Sequence, residues 1–559
     1  MNNAHIYIIG VMLTLSLGAS AQVQKNDTTM SRTVVVENEY NPNILDAQKI
    51  NVMPKVEPLQ ATQRQVVYDH AIHPATQLPG TILPVMASQV LQRTARPGYI
   101  RLGVGLPGNI DFLGNYRARF SEVDELNIFA QFNGNKGDRS FEEGGADWED
   151  ARFYQTRVGL DYSHAFTGSK LDLGAHLGVI NLNQPDKFLL PGNRNLTSGD
   201  LHVGYASADD NQSIIYNLET NLQFFSLGRL NNDKLNETGL LTKGNILSPI
   251  TEDQSVGIGF QLDNRFYNAD GFEGNHNLDL NPYYVYRTGD WLLHLGAHVN
   301  YGFGLESKFR VAPDVDLTYS FENSYQFYAR ATGGHVGSDL RRIEQQNPYA
   351  VNLLPQLKNT FEQVNGSIGI KGSPADGLWF NVFGGYQDLK DDVCFNLMGS
   401  YYALFTNLTP YAGSTSRVIP LQADMHNFYG GAELDYTYKE QFNLHASGLY
   451  RSWGYDEKKS PQAELVACFK PEFEGNLNFS YKITPAANMG AGFQLITRKG
   501  DLYSKPNAVT DLYVSGSYEI FSGFSIYAKA DNLLNKKYQY FAGIPAQGIN
   551  FVGGISYCF

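Results

Sequence analysis

The chain ends Asn550-Phe551-Val552-Gly553-Gly554-Ile555-Ser556-Tyr557-Cys558-Phe559. In a β-strand, alternate side chains point to opposite faces. Phe551, Ile555, Tyr557 and Phe559 then share one face with Gly553. Asn550, Val552, Gly554, Ser556 and Cys558 share the other. One face is aromatic and apolar up to the final residue, and the other is small and mostly polar.

An aromatic face ending on a terminal Phe is the usual look of the closing strand of a bacterial outer-membrane barrel. Upstream, the same alternation extends back to Gly98. Trp291, Leu293, Leu295, Ala297, Val299 and Tyr301 oppose His294, Gly296, His298 and Asn300. Val256, Ile258, Phe260 and Leu262 oppose Gly257, Gly259, Gln261 and Asp263. Many segments exceed ten residues, longer than the 5–6 usual in a soluble sandwich and suited to tilted membrane strands. Connectors alternate between tight (Thr288-Gly289-Asp290, Phe521-Ser522-Gly523) and long (135–150, 184–212, 336–360, 388–423, 456–467). Barrels of this class have short periplasmic turns and long outside loops. The pattern predicts an all-β fold: a transmembrane antiparallel β-barrel over residues 98–559, with about 20 strands (18–22) and an even number. Leu227 to Glu252 fits least well, since a periplasmic turn is due there and the connector is long.

The chain has 559 residues, with 35 Tyr, 33 Phe and 55 Gly. Its mean hydropathy of -0.31 excludes a helical membrane protein of this size. Ile6 to Leu17, followed by Gly18-Ala19-Ser20-Ala21, reads as a cleaved secretory signal over residues 1–21, although Met1 to Tyr7 has no Lys or Arg. Residues 22–97 are Pro-punctuated and lack sustained alternation, as expected of an irregular periplasmic tail. A net charge of -13 without a basic cluster argues against nucleic acid. Cys394, Cys468 and Cys558 have no metal spacing. Cys394 in a long outside loop and Cys468 near the outer end of a strand form the candidate disulfide, with Cys558 free.

The residues Asp531-Asn532-Leu533-Leu534-Asn535-Lys536-Lys537-Tyr538, then Gly543-Ile544-Pro545-Ala546-Gln547-Gly548, then the closing strand, resemble the C-terminal end of TonB-dependent receptors. The likeness extends loosely over residues 98–559. It implies an outer-membrane barrel in a Gram-negative bacterium, set among outer-membrane lipid and lipopolysaccharide. Such receptors import solutes with energy passed from an inner-membrane partner to a plug inside the barrel. Residues 22–97 are too short and irregular for that plug, so the chain looks like a plugless, Bacteroidota-like form. Thr33, Val34, Val35 and Val36 look like the apolar box that contacts TonB, but without a plug the box has no work; strand addition to a periplasmic or lipoprotein partner is the alternative.

Placing the polar parity inward gives candidate lumen residues: Arg157, Asp161, Asp172, His176, Asp263 and Arg265, then His294, His298, Glu433, Asp435, His445 and Lys529. They either set the selectivity of a pore or form a network that stiffens the wall. His294 and His298 lie roughly 13 Å apart along a strand and cannot share a metal. No cofactor or metal is expected, and no catalytic motif points to an enzyme. Two roles remain: passage of small hydrophilic solutes across the outer membrane, or a membrane-embedded scaffold whose tail binds a partner.

Overall fold

The computed structural model describes residues 96–559 apart from 141–146, 185–192, 209–212, 229–233, 323, 351–355, 398–417, 440, 456–468, 500–506 and 542. The expectations for the signal, for nearly all of the tail with Thr33–Val36, and for Cys468 lie outside the described residues.

The chain runs through β1 (Gly98–Leu106), β2 (Asn109–Arg119), β3 (Asp124–Arg139), β4 (Trp148–Ala165), β5 (Ser169–Asn183), β6 (Asn193–Ser207), β7 (Ile215–Gly228) and β8 (Lys234–Pro249). Next come β9 (Gln254–Tyr267), β10 (Asn275–Thr288), β11 (Trp291–Gly304), β12 (Lys308–Phe321), β13 (Tyr325–Val336) and a helix, α1 (Leu340–Gln346). Then follow β14 (Thr360–Ala375), β15 (Leu378–Leu397), β16 (Val418–Tyr438), β17 (Phe442–Tyr455), β18 (Pro471–Lys482), β19 (Ala487–Arg498), β20 (Val509–Phe521) and β21 (Phe524–Asp531). The short pair β22 (Gln539–Phe541) and β23 (Ile544–Pro545) precedes the closing strand β24 (Asn550–Cys558).

Leaving β22 and β23 aside, 22 strands form one antiparallel sheet, and β24 pairs with β1. The sheet closes into a barrel with no free edge, as lipid demands of a β-structure. We term the rim at Phe559 the terminal rim and the opposite one the far rim. Connectors at the terminal rim are tight, and Gly377 (φ 75°) and Gly523 (φ 87°) take the left-handed conformation their turns need. Far-rim connectors include the long 337–359 and 532–549.

Barrel closure explains the alternation. In β1, Val104 is 71% exposed while Arg101, on the other face, is 5% exposed. Ile100, Leu102 and Leu106 share the exposed outer face. Such a band suits hydrocarbon. Near the terminal rim Trp291 packs on Tyr319 at 4.5 Å, and Phe559 stacks on Tyr116 at 6.1 Å and on Tyr557 at 5.8 Å. These rings sit where an interfacial aromatic girdle belongs.

The strand number is 22, not the expected midpoint of about 20. β6 lies within 184–212 and β8 within 227–252, both expected as connectors. β8 escapes notice because Leu240 and Leu241 are adjacent, and Thr, Asn and Lys occur among its neighbours. With β8 in place the turn at 250–253 falls on the terminal rim, which resolves the misfit at Leu227 to Glu252. Both described ends of the 388–423 region are strand, since β15 and β16 are 20 and 21 residues long and run to Leu397 and from Val418. Cys394 therefore lies in β15, not in a loop. Its thiol is free and buried, 3.7 Å from the Met425 sulfur. Cys558 is also free.

Opposite tolerance is expected of two neighbours in β11. Leu295 is exposed on the outer face, and Leu295→Arg should cost about 2–4 kcal/mol near a bilayer midplane. His294 lies 2.8 Å from Asp314 on the other face, so His294→Arg keeps a carboxylate partner and should assemble. Heat-modifiable gel mobility reads both; equal assembly would contradict the assigned faces.

Candidate functional site

The inner wall is built on a repeated three-strand contact. Tyr283 of β10 lies across Gly257 of β9, and its hydroxyl donates to Asn245 of β8 at 2.9 Å. A Cβ on Gly257 would sit 2.2 Å from the ring, so only glycine admits it. Tyr328 crosses Gly369 to Asn381 (2.9 Å), Tyr429 crosses Gly385 to Asn365 (2.6 Å), and Tyr513 crosses Gly492 to Asn478 (2.8 Å). Tyr527 of β21 reaches furthest. It passes Gly554 of β24 and Gly103 of β1 to bond Asp111 of β2 at 2.8 Å, across the closing seam. Cations cover several of these rings: Arg101 lies over Tyr527, Lys529 over Tyr513, and Arg330 and Lys371 over Tyr328.

The candidate charges fall into local pairs. His176 lies 2.6 Å from Asp200 and 2.9 Å from Asp161. His298 meets Asp279 at 2.9 Å, whereas His294 meets Asp314, so the two histidines serve different carboxylates. Asp435 binds His445 at 2.7 Å, and Glu433 accepts from Asn381 at 3.2 Å. Lys529 pairs with Asp531 and Asp172 with Lys170, at 2.7 and 2.8 Å. Arg157 is exposed on the same parity of β4 as Asp161. Asp263 and Arg265 belong to a different assembly at the far rim.

There the inner face becomes apolar. Phe153, Leu182, Leu196, Phe225, Leu227 and Leu235 form a buried cluster on β4 to β8, joined by Leu340, Tyr349, Phe541 and Ile544 from the far-rim connectors. The connector after β13 thus folds inward against this wall. Asp339 caps α1 by accepting from the Arg342 N–H at 3.0 Å, and Leu340 and Ile343 share a buried face. A helix of seven residues is not stable alone, so its contacts with the wall hold it.

Those contacts are largely ionic and buried. Arg194 of β6 bonds Glu344 at 2.6 Å and donates to the Pro348 and Ala350 carbonyls at 3.1 and 2.6 Å. Arg341 bonds Asp200 at 2.9 Å, well below the rim. Glu237 of β8 accepts from the Leu340 N–H at 2.6 Å. Burial pushes the Glu344 carboxyl up to about 7, against the pull of Arg194. Sequence reasoning missed Arg194, Glu237, Asp339 and Glu344. The available signal was apolar residues entering the inner parity at the far ends of five consecutive strands.

Solved barrels share this geometry. The FrpB iron transporter from Neisseria meningitidis superposes with a TM-score of 0.65 at 10% identity, over 83% of this chain and 81% of that one. The fold is that of a TonB-dependent-receptor barrel. The copper transporter OprC matches this receptor-type fold with a TM-score of 0.61 at 11% identity, over 83% of this chain and 80% of its own. A mutant form of the ferric enterobactin receptor PfeA of Pseudomonas aeruginosa gives 0.61 and 11%, over 83% and 81%. No family model matches the receptor-type chain, and no curated protein does. These neighbours are transporters and receptors rather than enzymes, and a large receptor-type barrel fits a Gram-negative outer membrane.

Proposed function

We propose that this barrel passes small hydrophilic solutes across the outer membrane, with the far rim outside and the 337–350 segment narrowing its entrance. The observation that carries the reading is a closed 22-strand wall with charge pairs on its inner face. A barrel of this size encloses more space than wall side chains fill. The candidate inner residues then act as the polar lining that a hydrated solute meets. The reading takes residues 22–97 as a tail rather than a standard plug, so passage is passive or assisted by a periplasmic partner. Thr33–Val36 is the proposed contact with such a partner; a Cys394–Cys468 pairing would require oxidation of the Cys394 thiol that is free in this structure, and thiol counting decides it.

Planar-bilayer recording of the purified full chain tests this. The native protein is expected to give small or infrequent conductance steps, and deletion of 340–349 with a short Gly-Ser bridge should enlarge them severalfold. If the deletion variant assembles and neither form conducts, the barrel is not a passage.

A further inference from the structure

Seven carboxylates are buried among the described residues, and six have a basic partner within 4.0 Å. Arg265 lies 2.7, 3.7 and 3.8 Å from Asp263, Glu237 and Asp339. His298 meets Asp279 at 2.9 Å, Arg194 meets Glu344 at 2.6 Å, and Lys470 meets Asp392 at 2.6 Å. The seventh, Glu362 of β14, has no such partner among the described residues, although it is only 5% exposed. Amides hold it instead. Asn427 of β16 donates to the Gln387 side-chain oxygen at 2.9 Å, which turns the Gln387 nitrogen toward Glu362, at 2.5 Å. The Asn365 side chain also bonds it. This relay fixes the carboxylate without neutralising it, and the charge close enough to act on it is another carboxylate, Asp392. A buried charge without a counter-charge is costly.

Glu362 lines a cleft of about 700 Å³, mouth included. The lining is mostly apolar, with Val336, Leu389, Val393, Phe395, Phe469 and Pro471. Arg342 and Gln346, one turn apart on α1, also face it, and Arg342 donates to the Gly337 carbonyl at 2.6 Å. Lys470, in the same lining, is engaged by Asp392 and lies over the Trp453 ring at 5.3 Å. This chemistry selects a head group. A hard metal ion takes six or more oxygen ligands, and the described residues gather no such set. A guanidinium favours both oxygens of a carboxylate, and Gln387 already holds one. An ammonium is a compact point charge that the other oxygen can meet, and apolar and aromatic walls suit the carbon skeleton behind it. We propose that this cleft binds a small organic ammonium with an apolar body, and that Glu362 is its counter-ion. That the ligand is also a solute passed by the barrel rests on the reading above; the binding does not.

Calorimetric titration of the purified full chain in detergent micelles tests the cleft without measuring passage, with phenethylamine as the probe. At about pH 7 the amine is charged, as a Lys side chain is. Saturable binding at one site is expected. Phenethyl alcohol, with the same body and a neutral head, should bind at least about tenfold more weakly. Glu362→Gln keeps an acceptor for Gln387 and should weaken amine binding about 30-fold or more, with the alcohol unaffected. Heat-modifiable mobility confirms that the variant is folded; if it is not, the amine-to-alcohol ratio of the native protein decides alone. Phenylalanine, which adds a carboxylate, separates two sources of the same head group. Binding tighter than the amine's assigns the cleft to amino acids, and weaker binding assigns it to simple amines. Equal affinity for amine and alcohol would overturn the proposal, as would a native protein without saturable amine binding or a folded Glu362→Gln with native affinity.

Discussion

Replacing Arg194 with alanine should release the inward segment from the wall at pH 8. The guanidinium is a partner of Glu344, Pro348 and Ala350 together, so its loss strands one buried carboxylate and two carbonyls. Removing one partner of a buried pair costs about 3–5 kcal/mol. At the low end, the undocked fraction should rise by about two orders of magnitude. Exchange of the 340–350 amides should accelerate to match, while exchange in β11 and β16 stays native. Arg194→Lys should recover little, because an ammonium cannot reproduce the fork that reaches three acceptors. Native-like protection of 340–350 in Arg194→Ala would show that the apolar contacts of Leu340 and Tyr349 hold the segment unaided.

The adjacent glycines of the closing strand should respond oppositely to one methyl group. A Cβ on Gly554 would lie 2.0 Å from the Leu102 carbonyl oxygen and 2.6 Å from the Gly103 Cα. Both are backbone atoms of β1, so no rotamer change relieves the clash, and the strands that close the barrel must separate. Overpacking of this kind costs about 3 kcal/mol, and parting β1 from β24 exposes unpaired backbone to lipid. A Cβ on Gly553 meets only the Tyr527 carbonyl oxygen, at 3.6 Å, an ordinary contact. Gly554→Ala should therefore lose the heat-resistant folded band and surface abundance, and Gly553→Ala should keep both. If both variants assemble alike, the close approach of β1 and β24 is not what closes the barrel.

The architecture was legible because a closed barrel with an apolar exterior imposes one rule along most of the wall: apolar on one parity, polar or small on the other. Phe551, Ile555 and Tyr557 display that rule, and so do Leu295 and Tyr301. It fails in β8, where Leu240 and Leu241 put apolar side chains on both faces, and so 227–252 read as a connector. That failure carried over to the far rim. Asp263 and Arg265 stood out by parity, but Glu237 went unseen because its strand did. The apolar inner cluster was not legible for another reason. Phe153, Leu182, Leu196, Phe225 and Leu235 each look like a single irregularity, and only the neighbouring positions of β4 to β8 turn them into a surface. Nor does a seven-residue helix have enough periodicity to declare itself; Leu340 and Ile343 become a face only once there is a wall to meet.

The tyrosine that crosses the seam has a consequence for how the barrel finds its own alignment. Sliding β24 along β1 by two residues keeps every side chain on its proper face, so the inside–outside pattern alone does not penalise the slip. The crossing does. Tyr527 needs Gly554 opposite it on β24, Gly103 opposite that on β1, and Asp111 next in line on β2. A two-residue slide would bring Arg101 or Gly105 beneath the hydroxyl and move Asp111 out of its reach. The four strands thus work as a keyed lock whose pin fits one offset, and the four other crossings set further keys around the ring. Because the shear of a closed sheet is the sum of the offsets at all its strand junctions, these five tyrosines hold part of that sum, and with it part of what sets the tilt of the strands and the width of the barrel.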